Sequence, residues 1–522
     1  MEKRGKETER ISKWVFNVKY EDIPRRTIKE AKIQILNILA SLFAGYQTKA
    51  GKVVLKTVSS WGGKEECTII PSGKKTTLHQ AIFANCSLSM ALDYDDYLFA
   101  GHSGHSAVLV PLTLAERFKI SGKDLLLSQI IANEVEGRIG ASVILGPQNG
   151  QLWSFLHLIG AALSSAKALR LNPEQTLNAL GISLYQPNFS LLPGFMGSAA
   201  KILTATTAVN GVIAAELARD GLTGPSDILE NEKGFWHYFS YLPLPYMIDG
   251  LGEVFLTDTL SYKVYPGCAY IDSAIDCVLK IVNSGRLLNP EEIKKVEVFT
   301  NLLTMKMDQL SSPFLKREKS EPVTLNFFLP YNLAVALIDK ELTPRQLRPE
   351  RIKDKKVWQL VDKIELHHET KFTQELMEAL SKVLDYKFVL KNLNLLGMLS
   401  SSRDFKFKET LQLLNSINPE SLLKEVASKE NKPDFKRFNL PMGARVRILM
   451  KDGREVSATQ EIPQGAGGRP QREKRQLVEK KFEQETKAFL SHQTREKVKE
   501  IIENLEEARP KEIRKMIGLL CS

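Results

Sequence analysis

The sequence predicts a mostly α-helical protein, with a large all-helical domain and a smaller α+β lid domain inserted into it. Three observations carry this expectation. Apolar residues recur at three- and four-residue steps through most of the stretch from Ile11 to Arg219, strand-like alternation first dominates beyond Lys263, and charged amphipathic helices return from Glu473 onward. The expected division is therefore 1–263 with 473–522 for the helical domain and 264–472 for the insertion. With 522 residues, 43% of them apolar, the chain has room for about two to four domains and can bury a core without metal or disulfide staples.

The elements follow in order. Ile11, Val15 and Val18, then Ile28, Ala31, Ile35, Ile38 and Leu42, mark two amphipathic helices, the second ending at Gly45. After Val53 to Val58, the Gly62-Gly63 turn and Cys67 to Ile70, a small-residue helix over 77–91 runs into Asp93-Tyr94-Asp95-Asp96. Helices are expected over 108–118, 125–139, 151–169 and 174–183, with Ser121-Gly122-Lys123-Asp124 and Asn172-Pro173-Glu174 as starts. The stretch 197–219, rich in Ala, Gly and Thr, lets helices approach closely. Beyond it, 272–282 and 331–338 read as helices, while 295–299 and 363–366 read as strands. A hairpin is expected from 445–450 through the turn Lys451-Asp452-Gly453-Arg454 into Glu455-Val456. The polar stretch 388–438 reads as an insertion that packs weakly.

The net charge of +11 raises a nucleic-acid reading, which depends on where the charge sits. From Asp93 to Lys263 there are sixteen acidic and ten basic residues, so the middle of the chain is acidic. The positive charge gathers at Lys3 to Arg10, Arg345 to Lys356 and Arg469 to Lys481, which read as solvated faces without interleaved aromatics. No nucleic-acid partner is expected. Five scattered cysteines without a CxxC pair indicate neither a disulfide framework nor a zinc module, and a reducing compartment is expected. The amino-terminal MEKRGKETER has no apolar run behind it, and the uncharged run 139–166 is broken by polar residues. A cytoplasmic protein with no membrane partner is expected.

Chemistry concentrates at Asp93, Asp95 and Asp96 followed by His102 and His105. Neighbouring carboxylates drive each other's pKa values apart and imidazole titrates near neutrality, so the cluster suits acid-base work. Asp and His can also ligate a metal, but no second carboxylate-histidine group at helical spacing accompanies them, and none is expected. Lys201 stands alone in an apolar stretch, where it must reach solvent, find an anion or lose its proton. Lys263, in Lys263-Val264-Tyr265-Pro266-Gly267-Cys268, lies at the joint of the two halves, where a cleft would form and a lysine could hold a carboxylate. Cys268 and Tyr331 read equally as buried core residues. There is no GxGxxG after a strand, no P-loop, no GxSxG and no HExxH, which disfavours nucleotide, serine-hydrolase and zincin chemistry.

The ordered set of segments resembles the MmgE/PrpD family of 2-methylcitrate dehydratase and cis-aconitate decarboxylase. The matching pieces are Ala91 to Asp96 with His102; Glu134 to Arg138; Gly160 to Leu171 with Asn178 to Gly181; Lys201 with 211–225; Gly234-Phe235; Lys263 to Cys268; Phe328 to Ala336; and Val446 to Gly453 with Lys481-Phe482. The resemblance implies a helical domain with an α+β lid, a homodimer, no cofactor, and a cleft that takes small polycarboxylates. By position it implies catalytic roles for Asp93, His102, Lys201 and Tyr331, and substrate contacts for Lys263, Arg138, Gln151 and Cys268. Gln151, Cys268 and Met90 stand where relatives carry histidine. Glutamine transfers no proton at neutral pH, so the usual decarboxylase histidine set is incomplete here. The reading is a cofactor-free dehydratase of a hydroxy-polycarboxylate resembling 2-methylcitrate, with an epimerase or isomerase, a decarboxylase, or an inactive carboxylate binder as alternatives.

Overall fold

The computed structural model describes residues 6–147, 151–284, 289–392 and 433–521. Helices α1 (Glu7–Asn17), α2 (Arg25–Tyr46) and α3 (Lys49–Trp61) lead to a short hairpin, β1 (Cys67–Ile69) with β2 (Lys74–Thr76). The Val53–Val58 run belongs to α3, whose amino end is capped by the Thr48 hydroxyl accepting from Gly51 N. Helix α4 (Leu78–Met90), capped in the same way by Thr77, delivers the chain to the acidic turn and β3 (Asp96–Tyr97). Then come α5 (Gly104–Phe118), α6 (Gly122–Ser142), α7 (Gln151–Ala168), α8 (Pro173–Tyr185), α9 (Leu192–Gly197), a 3-10 turn over Ala199–Thr204, α10 (Ala205–Arg219) and α11 (Phe235–Phe239). Ser121 and the Asn172/Gln175 capping box start α6 and α8 at the expected places. The expected close approach occurs between α7 and α10, where a Cβ on Gly211 would lie 2.4 Å from the Leu158 carbonyl oxygen.

The two-residue strand β4 (Ser261–Tyr262) pairs antiparallel with β3, Asp96 opposite Tyr262. This ladder ties the acidic turn to the segment that carries Lys263. Next follow α12 (Asp272–Val282), β5 (Ile293–Thr300), α13 (Leu302–Ser311), α14 (Pro322–Leu325), α15 (Leu329–Asp339), α16 (Pro349–Ile352), α17 (Lys355–Val361), β6 (Ile364–His368), α18 (Thr370–Ser381) and α19 (Tyr386–Asn392). Strands β7 (Ala444–Met450) and β8 (Glu455–Gln460) complete a sheet of order β6-β5-β7-β8, parallel between β5 and β6 and antiparallel elsewhere. Alternation is visible in β7, where Ala444, Val446, Ile448 and Met450 face the core under α12 and α15 while Arg447 pairs with Glu297 on the other face. Gly453 supplies the positive φ that the β7–β8 turn requires. Helices α20 (Gln471–Thr486), α21 (His492–Glu503) and α22 (Pro510–Leu519) return to the helical domain.

Two cores separate the halves. One draws mainly on residues between 11 and 262 and between 478 and 520; the other draws on residues from 265 to 450, with Ala44, Leu92 and Tyr94 reaching into it. The acidic turn therefore sits at their seam. The protein is predominantly helical with a small inserted α+β domain, as expected.

Two expectations need correction. Arg469 to Lys481 is not a wholly solvated face, because Lys474 and Lys481 are buried where α20 packs against α2. Lys474 is neutralised there by Glu30, at 2.5 Å. Of the expected insertion 388–438, residues 393–432 lie outside the described residues, and its flanks are anchored: Phe435 and Phe438 are buried edge-on against Phe99. Among the described residues no helix is long and apolar enough to cross a membrane, and all five cysteines are free thiols.

Candidate active site

Asp93 follows α4 with a left-handed backbone (φ +52°), a conformation that aspartate tolerates better than most residues, and is 1% exposed. That turn directs its carboxylate toward two lysines. Lys263 Nζ lies 2.5 Å from Asp93 Oδ1 and 2.7 Å from Asp95 Oδ1, and Lys201 Nζ lies 3.6 Å from Asp93 Oδ2. Burial would raise both carboxyls, but Lys201 and Lys263 hold Asp93 below its ordinary range, and Lys263, His102 and His105 hold Asp95 well below it. Burial would lower Lys263, and the two aspartates outweigh that and raise it. Lys263 is therefore a fixed cation bridging the turn.

Asp95 also organises the imidazoles. Its Oδ2 is 2.7 Å from His102 Nδ1 and 3.1 Å from His105 Nε2. An ionised carboxylate can only accept, so Nδ1 carries the hydrogen toward Asp95, and in the neutral ring Nε2 is the acceptor. His102 is about a quarter exposed, whereas His105 is fully buried, lowered by burial despite Asp95, and bonded through Nδ1 to the Ser89 hydroxyl at 2.8 Å. The accessible imidazole is His102. Beneath it, Ser106 links the buried Glu136 and His157, at 2.7 Å to each.

Lys201, on the 3-10 turn before α10, is 5% exposed, and its ammonium makes no hydrogen bond among the described residues. Three rings surround it: Trp153 of α7 at 4.8 Å, Phe327 of the inserted domain at 5.5 Å and Phe195 of α9 at 5.9 Å. Burial lowers its pKa, and Asp93 only partly offsets this. The same Trp153 packs against the His102 ring in a T-shaped pair, ring centres 4.4 Å apart. Apart from the Asp93 carboxylate at 3.6 Å, the Lys201 ammonium thus has donors that a further anion could engage.

The remaining expected residues fall as follows. Cys268 is buried among Met196, Val323 and Phe327, and its thiol is pushed up to about 12 by burial and by Asp93, so it forms wall rather than nucleophile. Gln151 opens α7, and its side chain lies outside the described part of the structure. Met90 is fully buried core. Arg138 and Tyr331 are not brought to the cluster. Arg138 donates to the carbonyls of Met247, Asp249, Gly250 and Val254, clamping the segment that follows α11. Tyr331 packs against Trp358 and donates to the Gln346 carbonyl at 2.6 Å, inside the core of the inserted domain.

Asp93, Asp95 and His102 have donor atoms close enough together to ligate a metal. The Lys263 ammonium, at hydrogen-bonding distance from both carboxylates, already supplies the cation between them. Sequence reasoning missed Trp153, the orienting role of Asp95, and Lys481. A groove of about 1170 Å³ lies between the two domains, with Leu92 and Lys201 on one wall and Val323 and Arg345 on the other; Lys201 reaches it, whereas Asp93, His102, Trp153 and Lys263 are not among its lining residues.

Comparison with known proteins agrees with this architecture. Residues 9–243 match the MmgE/PrpD N-terminal domain and residues 265–390 the MmgE/PrpD C-terminal domain. A cis-aconitate decarboxylase of Aspergillus terreus is 25% identical over 391 residues, covering 70% of this chain and 79% of that protein. Human cis-aconitate decarboxylase is also 25% identical over 391 residues, covering 69% and 76%. The cis-aconitate decarboxylase-like protein oryM of Aspergillus oryzae is 23% identical over 396 residues, covering 70% and 81%. The two segments take in most of the helical domain and the first part of the inserted domain, with Asp93, His102 and Lys201 in the first and Lys263 between the two, and the chain belongs to the MmgE/PrpD family.

Proposed function

We propose that this protein is a lyase of small polycarboxylates, and specifically that it removes water from a hydroxy-polycarboxylate of the 2-methylcitrate type without a cofactor. The observation that carries this is the Lys201 ammonium, buried and without a hydrogen bond among the described residues, on the same indole as a carboxylate-oriented His102. The inter-domain groove brings an anion to Lys201, helped by Arg345 and Arg348 on its rim. Lys201 then holds a carboxylate and stabilises the negative charge that develops on it when the adjacent C–H is broken. His102 Nε2 takes that proton, and Asp95 stabilises the resulting imidazolium. The C–O bond breaks as the double bond forms, and the imidazolium returns the proton to the departing hydroxyl, which leaves as water. Asp93, held ionised, orients both lysines rather than acting as the acid.

A second reading is favoured by the names of the relatives. Decarboxylation of cis-aconitate would use the same anion receptor, with His102 delivering a proton to the carbon that loses CO2. Incubating the purified protein with 2-methylcitrate, citrate and cis-aconitate, with products followed by mass spectrometry, separates the readings. Loss of water supports dehydration, loss of CO2 supports decarboxylation, and solvent deuterium uptake with no elimination supports an epimerase. Binding without turnover or exchange supports a carboxylate-binding protein. The reading includes a homodimer, for which Tyr185, Leu191, Leu203 and Tyr238 are exposed apolar candidates at the contact, and sedimentation velocity tests it.

A further inference from the structure

Lys481 lies on α20, outside both segments that match the family, yet its side chain ends at the base of the charged cluster and is 4% exposed. All three of its N–H donors are engaged: the Tyr94 carbonyl at 2.6 Å, Asn37 Oδ1 at 2.8 Å and the Lys263 carbonyl at 3.1 Å. It also lies 3.7 Å over the Tyr94 ring. These acceptors belong to the catalytic geometry. Tyr94 is the residue between Asp93 and Asp95, and the Lys263 carbonyl belongs to the lysine that bridges those two carboxylates.

We propose that Lys481 is a positioning residue, whose ammonium fixes the Tyr94 and Lys263 backbones so that Asp95 meets both Lys263 and His102 Nδ1. The proposal rests on the reading of His102 as the base. Arginine could keep the charge at this position, whereas an apolar side chain would leave the Lys263 carbonyl without this donor. The groups that face the ammonium are Asp95 and Asp96 from the turn, Glu485 from its own helix, and Lys263. Asn37 of α2 links it onward, donating from Nδ2 to Asp96 Oδ2 at 3.4 Å. Burial lowers Lys481 to about 7 in spite of the three carboxylates, and burial with Asp95 raises Asp96 to about 7.

The test compares wild type with Lys481→Met and Lys481→Arg in two measurements. The first is turnover of 2-methylcitrate and cis-aconitate from about pH 5.5 to about pH 9.5. The second is the pH dependence of His102 ethoxyformylation by diethylpyrocarbonate, resolved by peptide mass spectrometry, which needs no substrate. In wild type, kcat should fall as pH rises through about 7, where the ammonium loses its proton. Lys481→Met should lower kcat at about pH 6 by about 20- to 100-fold, with KM within about threefold and that falling limb gone. Lys481→Arg should recover kcat to within about fivefold and move the limb past about pH 9, because guanidinium stays charged. The midpoint of His102 modification should shift in Lys481→Met and not in Lys481→Arg.

Wild-type kcat and midpoint in Lys481→Met would overturn the proposal. So would a falling limb that stays in place in both variants, or an unchanged His102 midpoint in a folded Lys481→Met protein. If neither substrate is turned over, the lyase reading fails by itself, and the His102 midpoint still decides the role of Lys481.

Discussion

Lys201 and His102 share one indole: the ammonium lies 4.8 Å from the centre of the Trp153 ring, and the imidazole is tilted against it with ring centres 4.4 Å apart. The cation comes from the turn before α10, the base from the loop before α5, and the indole from the start of α7. Three chain segments must pack correctly before one small molecule can touch both groups.

Replacing Lys201 by methionine separates function from stability. The ammonium has no hydrogen-bond partner among the described residues, and Lys263 still neutralises Asp93 when the 3.6 Å contact with Lys201 is lost, so the melting temperature should change little. Steady-state kinetics should show kcat/KM reduced by about 1000-fold, equivalent to about 4 kcal/mol of lost transition-state stabilisation.

Asp95→Asn should lower kcat by about 100- to 1000-fold, because the amide no longer fixes the His102 proton at Nδ1 or stabilises the imidazolium. It should also change acid unfolding. Asp95 is held well below its ordinary value in the fold, so its contribution is complete above the unfolded-state value of about 4 and is lost as pH falls toward the folded-state value. Near-ultraviolet circular dichroism during acid titration should show wild-type stability falling over that range, with a smaller dependence in the variant.

Lys263→Met removes the cation between Asp93 and Asp95 and leaves two buried carboxylates facing each other. Urea unfolding at neutral pH should show a loss of about 3–5 kcal/mol. Because the folded-state value of Lys263 is raised, its contribution is complete below the unfolded-state value of about 10.4 and would be lost only as pH rises through the raised value. The wild-type margin over the variant should therefore hold through neutral and mildly alkaline pH.

Tyr331→Phe tests a residue that the family resemblance assigns to catalysis and the structure places in the core of the inserted domain. The variant should keep kcat/KM within about threefold and lose about 1–2 kcal/mol of stability, because the Gln346 carbonyl loses its donor. A far larger loss of kcat with unchanged stability would return Tyr331 to the cleft.

Local features of the site were legible, and long-range ones were not. The spacing of Asp93, Asp95 and His102 within one loop marks acid-base chemistry directly, and a lysine inside Gly197 to Thr206 marks an unusual environment for a charge. Their meeting depends on how α4, α7 and the turn before α10 pack, which no local pattern encodes. Lys474 and Lys481 read as surface charges because α20 is rich in Lys, Arg and Glu. Yet Lys474, Val478, Lys481, Phe482 and Glu485 recur at helical steps and are all buried, so lysines in phase with an apolar stripe were the available signal. The strands were legible because β7 alternates inside and out, and Trp153 was passed over as core within a long uncharged run.

The contact between Lys481 and the Tyr94 carbonyl spans 387 residues. On the ribosome, the acidic turn is made early and the side chain that braces it arrives only after the whole α+β insertion has been synthesised. A nascent chain lacking α20 would carry His102, Asp93 and Lys201 but not this brace, so assembly of the charged cluster waits for a late, non-local docking event.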